Sequence, residues 1–312
     1  MTFVPGDPEY QHLFGVAYRL LGSAQDAEDA IQEGQIRWQQ LPDGDRALIR
    51  KPLAWLTRVV SRLCLDQLGS ARARREQYAG IWLPEPLPGR IDSLLSTASV
   101  QAAGDPADAV TQEESVSIAL LVVMEQLSPG ERVTLILHDV FGLAFVEIAT
   151  IVGRNPEACR QLASTARRHV RSGPRYSASG PERDRVVAAF AHACMGGDLL
   201  ALAEVLDPNV ISRSDGGGLV SAAARSIHGV DRVARLLAGL IRHGVPEESN
   251  FTWRLAPVNG RTGLIVEASG AVVGVVDLAI RDDRVAELAT VVNPEKLVRW
   301  QTDVESAALI DE

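Results

Sequence analysis

The feature that most constrains the fold of this chain is the segment 128–171, which has the pattern of two helices joined by a tight turn. Apolar residues at helical spacing predict a short helix over residues 145–152. Gly153 follows it and supplies the left-handed backbone conformation that a sharp turn between helices needs. Asn155 is a good N-cap, and Pro156 suits the first position of a second helix. The segment therefore predicts a helix-turn-helix.

The second helix of this segment has an apolar and a polar stripe. The apolar stripe consists of Cys159, Leu162, Ala163, Ala166 and Val170. The polar stripe consists of Glu157, Arg160, Gln161, Ser164, Arg168 and Arg171. Between residues 154 and 175 Glu157 is the single acid among the arginines, which are Arg154, Arg160, Arg167, Arg168, Arg171 and Arg175. An ordinary helix pair with solvated arginines would also be amphipathic. Gln and Ser mixed with Arg suit hydrogen bonding to base edges and phosphates, so DNA binding is our leading hypothesis.

The net charge of −9 is unusual for a DNA-binding protein, so the distribution of charge matters. Residues 181–312 hold 13 Lys and Arg against 19 Asp and Glu, whereas basic clusters lie in the first 180 residues. This pattern argues against non-specific coating of nucleic acid and is compatible with local, specific contact.

Composition otherwise describes a soluble globular protein of two or three domains, with 312 residues and a mean hydropathy of +0.04. No apolar run has the length of a membrane helix, and the opening MTFVPGDPEYQ does not read as a signal peptide. We therefore expect a cytoplasmic protein without membrane contact. Cys64, Cys159 and Cys194 are too far apart for a disulfide framework or a zinc site, so we expect three buried thiols. We expect no metal and no cofactor.

Residues 10–68 read as helices. Residues 10–21 and 24–40 are amphipathic, and Ser23 begins the second of these helices with a capping pattern. LPDGD at 41–45 reads as a loop, and Pro52 opens a long helix. The second helix leaves an acidic face outside, formed by Asp26, Asp29, Gln32 and Glu33. The long helix carries Arg58 and Arg62 on its polar side, with Arg72, Arg74 and Arg75 at its end.

These stretches resemble a known family. FGVAYRLLGSAQDAEDAIQEGQIRW with PLAWLTRVVSRLCLDQL is similar to region 2 of extracytoplasmic-function sigma factors, and residues 127–170 are similar to region 4. IWLPEP at residues 81–86 resembles the linker motif of a subgroup with a SnoaL-like C-terminal domain. SDGGGLV from Ser214 and NPEKL from Asn293 resemble that subgroup's C-terminal motifs. Leu219 departs from the pattern, because the subgroup often has a basic residue after DGGG.

The resemblance implies a multidomain fold: two all-α sigma domains, a region 2 helical bundle and a region 4 helix-turn-helix, with an α+β SnoaL/NTF2-like cone. We place region 2 at 1–78, a linker at 79–107, region 4 at 108–174 and the SnoaL-like domain at 181–312. In the third domain we expect helices over 183–195, 199–206 and 230–243, a strand pair around DGGG, and strands at 253–258, 262–268, 272–280 and 285–292. Asn259-Gly260 and Asp282-Asp283 are predicted turns.

The resemblance also implies site roles. The acidic face Asp26, Asp29, Gln32 and Glu33 would bind the clamp coiled coil of core RNA polymerase, with the flap region as a further contact. Arg58, Arg62, Arg72, Arg74 and Arg75 would line the −10 promoter element, where the duplex opens around a flipped base. The −35 element would be read by Glu157, Arg160, Gln161, Ser164, Arg167, Arg168 and Arg171. We expect an intramolecular regulatory contact of a monomer through Trp82, Pro84, Glu85, Asp215, Gly216, Gly217, Gly218, Asn293, Pro294 and Lys296.

No catalytic set emerges from the sequence. Residues 216–218 lack the Lys-Ser/Thr of a phosphate-binding loop, and no HExxH or GxSxG motif is present. SnoaL relatives include cyclases with an acid–base pair, for which Asp215, His228 and Asp277 are candidates, although core or turn roles are favoured. We interpret the chain as an alternative sigma factor modulated by its C-terminal domain, and not as an enzyme. The alternatives are a plain helix-turn-helix regulator, and a regulator with a ligand-binding or enzymatic SnoaL-like domain.

Overall fold

The computed structural model describes residues 3–89, 117–172, 180–243 and 251–301. The chain forms two compact units. Unit 1 contains residues 1–76 and 91–173, and unit 2 contains residues 77–90 and 174–312. Within the described ranges, no helix is long and apolar enough to cross a membrane.

The described part of unit 1 is helical. Its elements are α1 Pro8–Leu21, α2 Ala24–Gln40, α3 Asp43–Leu48, α4 Pro52–Glu76, α5 Ile118–Met124, α6 Pro129–Leu135, a π-helical turn Ile136–Val140, α7 Phe145–Val152 and α8 Pro156–Ser172.

Local capping signals set four of these helix starts, at Ser23, Ser117, Ser128 and Asn155. The Ser23 hydroxyl accepts the Asp26 amide at 3.2 Å, as the sequence predicts. Ser128 and Glu131 form a reciprocal capping box at the start of α6. The loop predicted at residues 41–45 is wrong from Asp43 onward, where α3 begins with two acids in its first turn that complement the helix dipole.

The predicted helix-turn-helix is confirmed. Gly153 ends α7 in the left-handed region at φ 71°, and its amide donates to the Ala149 carbonyl at 3.0 Å. The Asn155 side chain caps α8 by accepting the Ala158 amide at 2.8 Å. In α7 the buried residues are Ile148, Ala149 and Ile151, and Val152 is half-buried.

Unit 2 combines helices with a single described sheet. Its elements are α9 Gly180–Gly196, α10 Leu199–Val205, β1 Leu206–Asp215, β2 Ile227–His228, α11 Val230–His243, β3 Phe251–Val258, β4 Arg261–Ala268, β5 Ala271–Arg281, β6 Arg284–Val291 and a 3₁₀ turn Pro294–Lys296. The strand order is β2-β1-β6-β5-β4-β3, with β1 and β6 parallel and the other neighbours antiparallel. The three helices contribute to one core with the sheet, which is the expected α+β architecture.

Hairpin turns lie where residues that tolerate positive φ occur. Asn259 and Gly260 have φ of 49° and 77°, and Asp282 and Asp283 have φ of 50° and 57°. These are the turns predicted from the sequence, and their mirror-image geometry matches the twist of the strands.

The segment 77–90 belongs to unit 2, although it was predicted as the start of a linker over 79–107. Leu83 and Leu87 are buried at 0% and 2% exposure. A passive tether would leave such side chains in water, so this segment packs on the rest of unit 2. The rest of the predicted linker, from residue 90, lies outside the described residues.

Candidate nucleic-acid and partner interfaces

Helix α8 presents a polar face to solvent and an apolar face to unit 1. Cys159, Ala163 and Ala166 are buried at 0% exposure. The exposed positions are Glu157, Arg160, Gln161, Ser164, Arg168 and Arg171. The Arg160 guanidinium donates to Glu157 at 2.6 Å and lies 5.8 Å from the centre of the Phe145 ring. Both contacts orient the Arg160 guanidinium at the N-terminal end of the helix. In helix-turn-helix proteins this end of the second helix enters the major groove.

Arg167 has a different environment from the other predicted DNA contacts. Its Nε and Nη2 donate to the two carboxylate oxygens of Asp139 at 2.8 and 2.5 Å. The Asp139 side chain is 1% exposed, so this bidentate pair is an internal contact of unit 1. Arg168, the next residue, is exposed. The number of arginines in this stretch does not reveal that one of the two is paired internally and the other is exposed.

The acidic face of α2 is exposed as predicted. Asp29 and Gln32 are exposed, and Asp26 and Glu33 are half-buried. Glu33 pairs with Arg37 at 2.8 Å, and both side chains are about half exposed. Ile36 extends this face one turn further with 39% exposure, an apolar position that the sequence reasoning missed.

The predicted −10 arginines divide into two groups. Arg58 is exposed on α4. Arg62 donates to the Ile151 carbonyl at 2.7 Å, and Arg75 donates to the Leu21 carbonyl at 2.6 Å. The side chains of Arg72 and Arg74, and the whole of Arg175, lie outside the described residues. Arg62, although exposed, and the largely buried Arg75 therefore both make contacts within unit 1.

Glu125 joins two arginines in unit 1. It forms ion pairs with Arg75 and with Arg132, whose side chain is 2% exposed. Burial lowers the pKa of Arg132 to about 9. Arg132 also donates to the Arg19 carbonyl at 3.4 and 3.2 Å. This cluster ties α1 and α4 to α6.

In unit 2 the segment 77–90 is held along its backbone. The Leu87 amide donates to the Asn259 side-chain oxygen at 2.6 Å, and the Asn259 amide donates to the Leu87 carbonyl at 2.9 Å. Pro88 bridges Val258 on β3, which is the edge strand of the described sheet. The segment thus extends the sheet edge in the manner of an added strand. Trp300 completes this end by donating its indole N–H to the Pro86 carbonyl at 2.9 Å.

The other end of the segment is held by Asp215, whose side chain is fully buried. The carboxylate accepts the Tyr78 hydroxyl at 2.6 Å, the Leu83 amide at 2.8 Å and the Lys296 ammonium at 2.7 Å. Lys296 also donates to the Leu83 carbonyl and lies 4.4 Å from the centre of the Trp82 ring. Burial, followed by the hydrogen bond to Asp215, raises the pKa of Tyr78. We call Tyr78, Leu83, Asp215, Asn293 and Lys296 the Asp215 cluster.

Glycines are required where the DGGG motif meets this cluster. Gly217 has φ of 65°, and a Cβ there would collide with the Asn293 side chain. Gly218 has φ of 74°, and its Cβ would lie 2.8 Å from that of Ala79. Asn293 in turn donates to the Tyr78 hydroxyl at 2.9 Å. Gly216 begins the same turn, and Leu219 beyond it is 61% exposed.

The remaining predicted regulatory residues lie around the cluster. Pro84 and Glu85 are buried, and Glu85 faces Arg299 at 3.5 Å. Pro294 is exposed and opens the 3₁₀ turn that carries Lys296. Tyr78, Leu83 and Leu87 were not singled out from the sequence, and Asn259 was predicted only as a turn residue, because their partners lie 132 to 172 positions away.

The candidate acid–base residues do not form a catalytic site among the described residues. Asp215 is engaged in its cluster, and Asp277 pairs with Arg183 at 2.9 Å with both side chains buried. Burial is the main cause that lowers the pKa of Arg183. His228 is exposed on β2. The structure therefore separates the three residues.

Comparison with known proteins matches both halves of unit 1 and then the whole chain. Residues 8–74 match Sigma-70 region 2, and residues 117–170 match Sigma-70, region 4. The chain is 38% identical over 295 residues to ECF RNA polymerase sigma factor SigJ of Mycobacterium tuberculosis, covering 92% of this chain and 90% of the relative. It is 36% identical over 288 residues to the probable ECF RNA polymerase sigma factor SigI of the same organism, covering 92% and 91%. The crystal structure of M. tuberculosis SigJ aligns over 93% of this chain and 96% of its own, with 34% identity and a TM-score of 0.70.

Proposed function

Because the chain belongs to the ECF RNA polymerase sigma factors, we propose that unit 1 reads promoter DNA through α8 and binds core polymerase through α2, while unit 2 modulates initiation. As a sigma factor, the protein binds core RNA polymerase and promoter DNA and acts in transcription initiation. Its close relatives are sigma factors and not enzymes, and the alternative of a plain helix-turn-helix regulator is not favoured. We place its action in the cytoplasm, as a monomer, without a catalytic reaction of its own.

We assign the reading of the −35 element to α8. The observation that supports this assignment is the exposed face of Arg160, Gln161, Ser164, Arg168 and Arg171 behind a rigid, capped turn. Arg and Gln side chains of this kind make bidentate contacts to guanine and adenine. Arg167 is left out of the reading set, since it is bound to Asp139.

We assign polymerase binding to the acidic face of α2, with Ile36 as its apolar centre. Asp29, Gln32 and Ile36 follow one another at helical spacing and are all exposed. Such a face is complementary to a basic helical partner such as the clamp coiled coil, because acid–base complementarity steers association and an apolar centre adds affinity.

We propose that unit 2 modulates transcription initiation through its contacts with the segment 77–90. This segment directly follows α4, which ends at Glu76, so unit 2 grips the connection between the two sigma regions. The grip consists of the Asp215 cluster at one end and the edge of β3 at the other. If these contacts weaken, the connection between the two sigma regions becomes less restrained. We expect this change to alter promoter opening.

Run-off transcription with purified core polymerase and a promoter library tests the proposal. The full-length chain is expected to direct initiation from specific sites, and absence of any promoter-specific transcript would overturn it. Asp29→Lys with Ile36→Lys should abolish polymerase binding, whereas Asp231→Lys on unit 2 is a matched control. A chain ending near residue 175 should differ from the full chain in promoter opening or polymerase affinity. Equal values for both would exclude a modulating role for unit 2.

A further inference from the structure

Unit 2 contains a cavity of about 520 Å³ that the Asp215 cluster does not use. It lies between the sheet and helices α9 and α11, with Phe190, Leu237 and Trp253 among its lining residues. This volume is within the range of small-molecule sites, which are about 300–1,000 Å³. The cavity is therefore large enough for a ligand of several rings or a folded acyl chain.

The chemistry of the lining selects the ligand. Among the described residues, the lining contains no Asp, Glu, Lys, Arg or His, and its polar groups are the indole N–H of Trp253 and the hydroxyls of Ser212, Ser214, Ser221 and Thr290. Ser214 and Thr290 are register partners on β1 and β6, so their hydroxyls lie side by side. None of the four hydroxyls is hydrogen-bonded within the described residues. Because an unpaired charge is costly to bury, the lining favours an uncharged molecule with an oxygen at these hydroxyls.

The cavity and the Asp215 cluster share the same two strand ends. On β1, Ser214 lines the cavity and the next residue, Asp215, holds the segment 77–90. After β6, Val292 lines the cavity and the next residue, Asn293, bonds Tyr78. The Val292 amide donates to the Asp215 carbonyl at 2.8 Å, which ties the two strand ends together. A shift of one cavity wall is therefore transmitted to the cluster over a single residue.

The loop after the DGGG motif provides a second link. Val220 and Ser221 line the cavity, and the amides of residues 219 and 220 both donate to the Gly216 carbonyl at 3.0 Å. Val220 is 44% exposed, so apolar surface of this loop is available to a ligand. A molecule in the cavity would bury that surface and restrain the turn that adjoins Asp215.

We propose that this cavity binds an uncharged, largely apolar small molecule carrying a hydroxyl or carbonyl oxygen, and that its occupancy tightens the hold of unit 2 on residues 78–83. Binding of this small molecule would be the signal for the modulation proposed above. The proposal rests on that proposed function only for its effect on transcription, since binding and tightening take place within unit 2. In the same cavity, no described group can act as an acid or base, so the molecule is held and not converted.

A dye titration of the full-length chain tests the site. Nile red, an uncharged apolar fluorophore with a carbonyl oxygen, should bind saturably with a rise in emission, and the anionic dye anilinonaphthalene sulfonate should bind at least about tenfold more weakly. Leu240→Trp fills the cavity from its exposed rim and should weaken Nile red by at least about tenfold. Leu200→Trp is the matched control, because Leu200 is 77% exposed and outside the lining.

Hydrogen exchange on the same samples tests the coupling. Saturating Nile red should slow exchange of the Leu83 amide, whose acceptor is Asp215, by about tenfold. The Leu87 amide, whose acceptor is Asn259 at the β3–β4 turn, serves as the internal control and should not change. Non-saturable binding, or equal Nile red affinity of the two tryptophan variants, would overturn the site. Unchanged Leu83 exchange at saturation would overturn the coupling. Neither assay contains polymerase, so these failures are distinct from a failure of sigma activity.

Discussion

At the scale of single residues, the buried pair of Asp215 and Lys296 carries much of the contact between the segment 77–90 and the rest of unit 2. The carboxylate is fully buried and the lysine side chain is 13% exposed. Removing one partner of such a pair leaves an uncompensated charge, which costs far more than the intact pair contributes. The Asp215 cluster is therefore sensitive to either residue.

Lys296→Met is expected to destabilise unit 2 by about 3 kcal/mol, since it leaves the Asp215 carboxylate without its cation. Chemical denaturation followed by far-UV circular dichroism measures the loss, and the Leu83 amide should exchange faster. Lys51→Met is the matched control, because Lys51 is exposed and is the other lysine of the sequence. Equal stabilities of the two variants would contradict the role assigned to the pair.

His12 makes unit 1 sensitive to pH. Its Nε2 lies 3.2 Å from the Thr57 hydroxyl, which donates to the Leu53 carbonyl, so Thr57 accepts and the imidazole donates. Burial, and then the charge of Arg19, lower the pKa of His12 below its ordinary value of 6.5. The unfolded state thus binds a proton more readily than the folded state.

The free energy of unfolding of unit 1 should therefore fall as the pH is lowered below about 6.5. Above that pH the contribution of neutral His12 is fully present. His12→Gln keeps a donor near Thr57 and should make the decrease between pH 7 and pH 5 shallower. Urea denaturation at a series of pH values measures the two slopes, and identical slopes would exclude His12 as the source.

At the scale of elements, α8 contains two neighbouring arginines in different environments, for which we expect different roles. Arg167→Ala should destabilise unit 1 by about 3 kcal/mol, because the buried Asp139 loses its bidentate partner. Arg168→Ala should leave stability unchanged and weaken −35 promoter binding by roughly 1–3 kcal/mol. Thermal unfolding and fluorescence anisotropy with promoter duplex measure the two effects. A reversed pattern would mean that the exposed face of α8 is not the reading face.

The elements also show what a sequence can predict. The helix-turn-helix and the hairpin turns were predicted correctly because their signals are local, such as Gly153 after a helix or Asn259-Gly260 between strands. The docking of Leu83 was missed because its acceptor, Asp215, is 132 positions away, and a Pro-rich stretch has the same local pattern whether docked or free. The pairing of Arg167 was missed for a similar reason, since one helical position separates an internal arginine from an exposed one.

At the scale of the whole molecule, the promoter-binding role of unit 1 conflicts with the contacts of its arginines. Arg62 binds the Ile151 carbonyl at the end of α7, and Arg75 pairs with Glu125 after α5. Both arginines were predicted to contact the −10 element. Both side chains would leave these contacts on reaching DNA, and we expect α4 to separate from α7 and from Glu125 in the promoter complex.

Energy transfer between dyes on Leu48→Cys and Val146→Cys tests this separation in the full-length chain. Both positions are exposed, at 80% and 65%, and lie in α3 and α7, while Cys64, Cys159 and Cys194 are buried and poorly accessible to the dyes. Transfer should be high in the free protein and should fall when core polymerase and promoter DNA are added. Glu125→Gln weakens the tie to Arg75 and should lower transfer in the free protein. Unchanged transfer in the promoter complex would mean that Arg62 and Arg75 keep their internal contacts, and would remove both residues from the −10 surface.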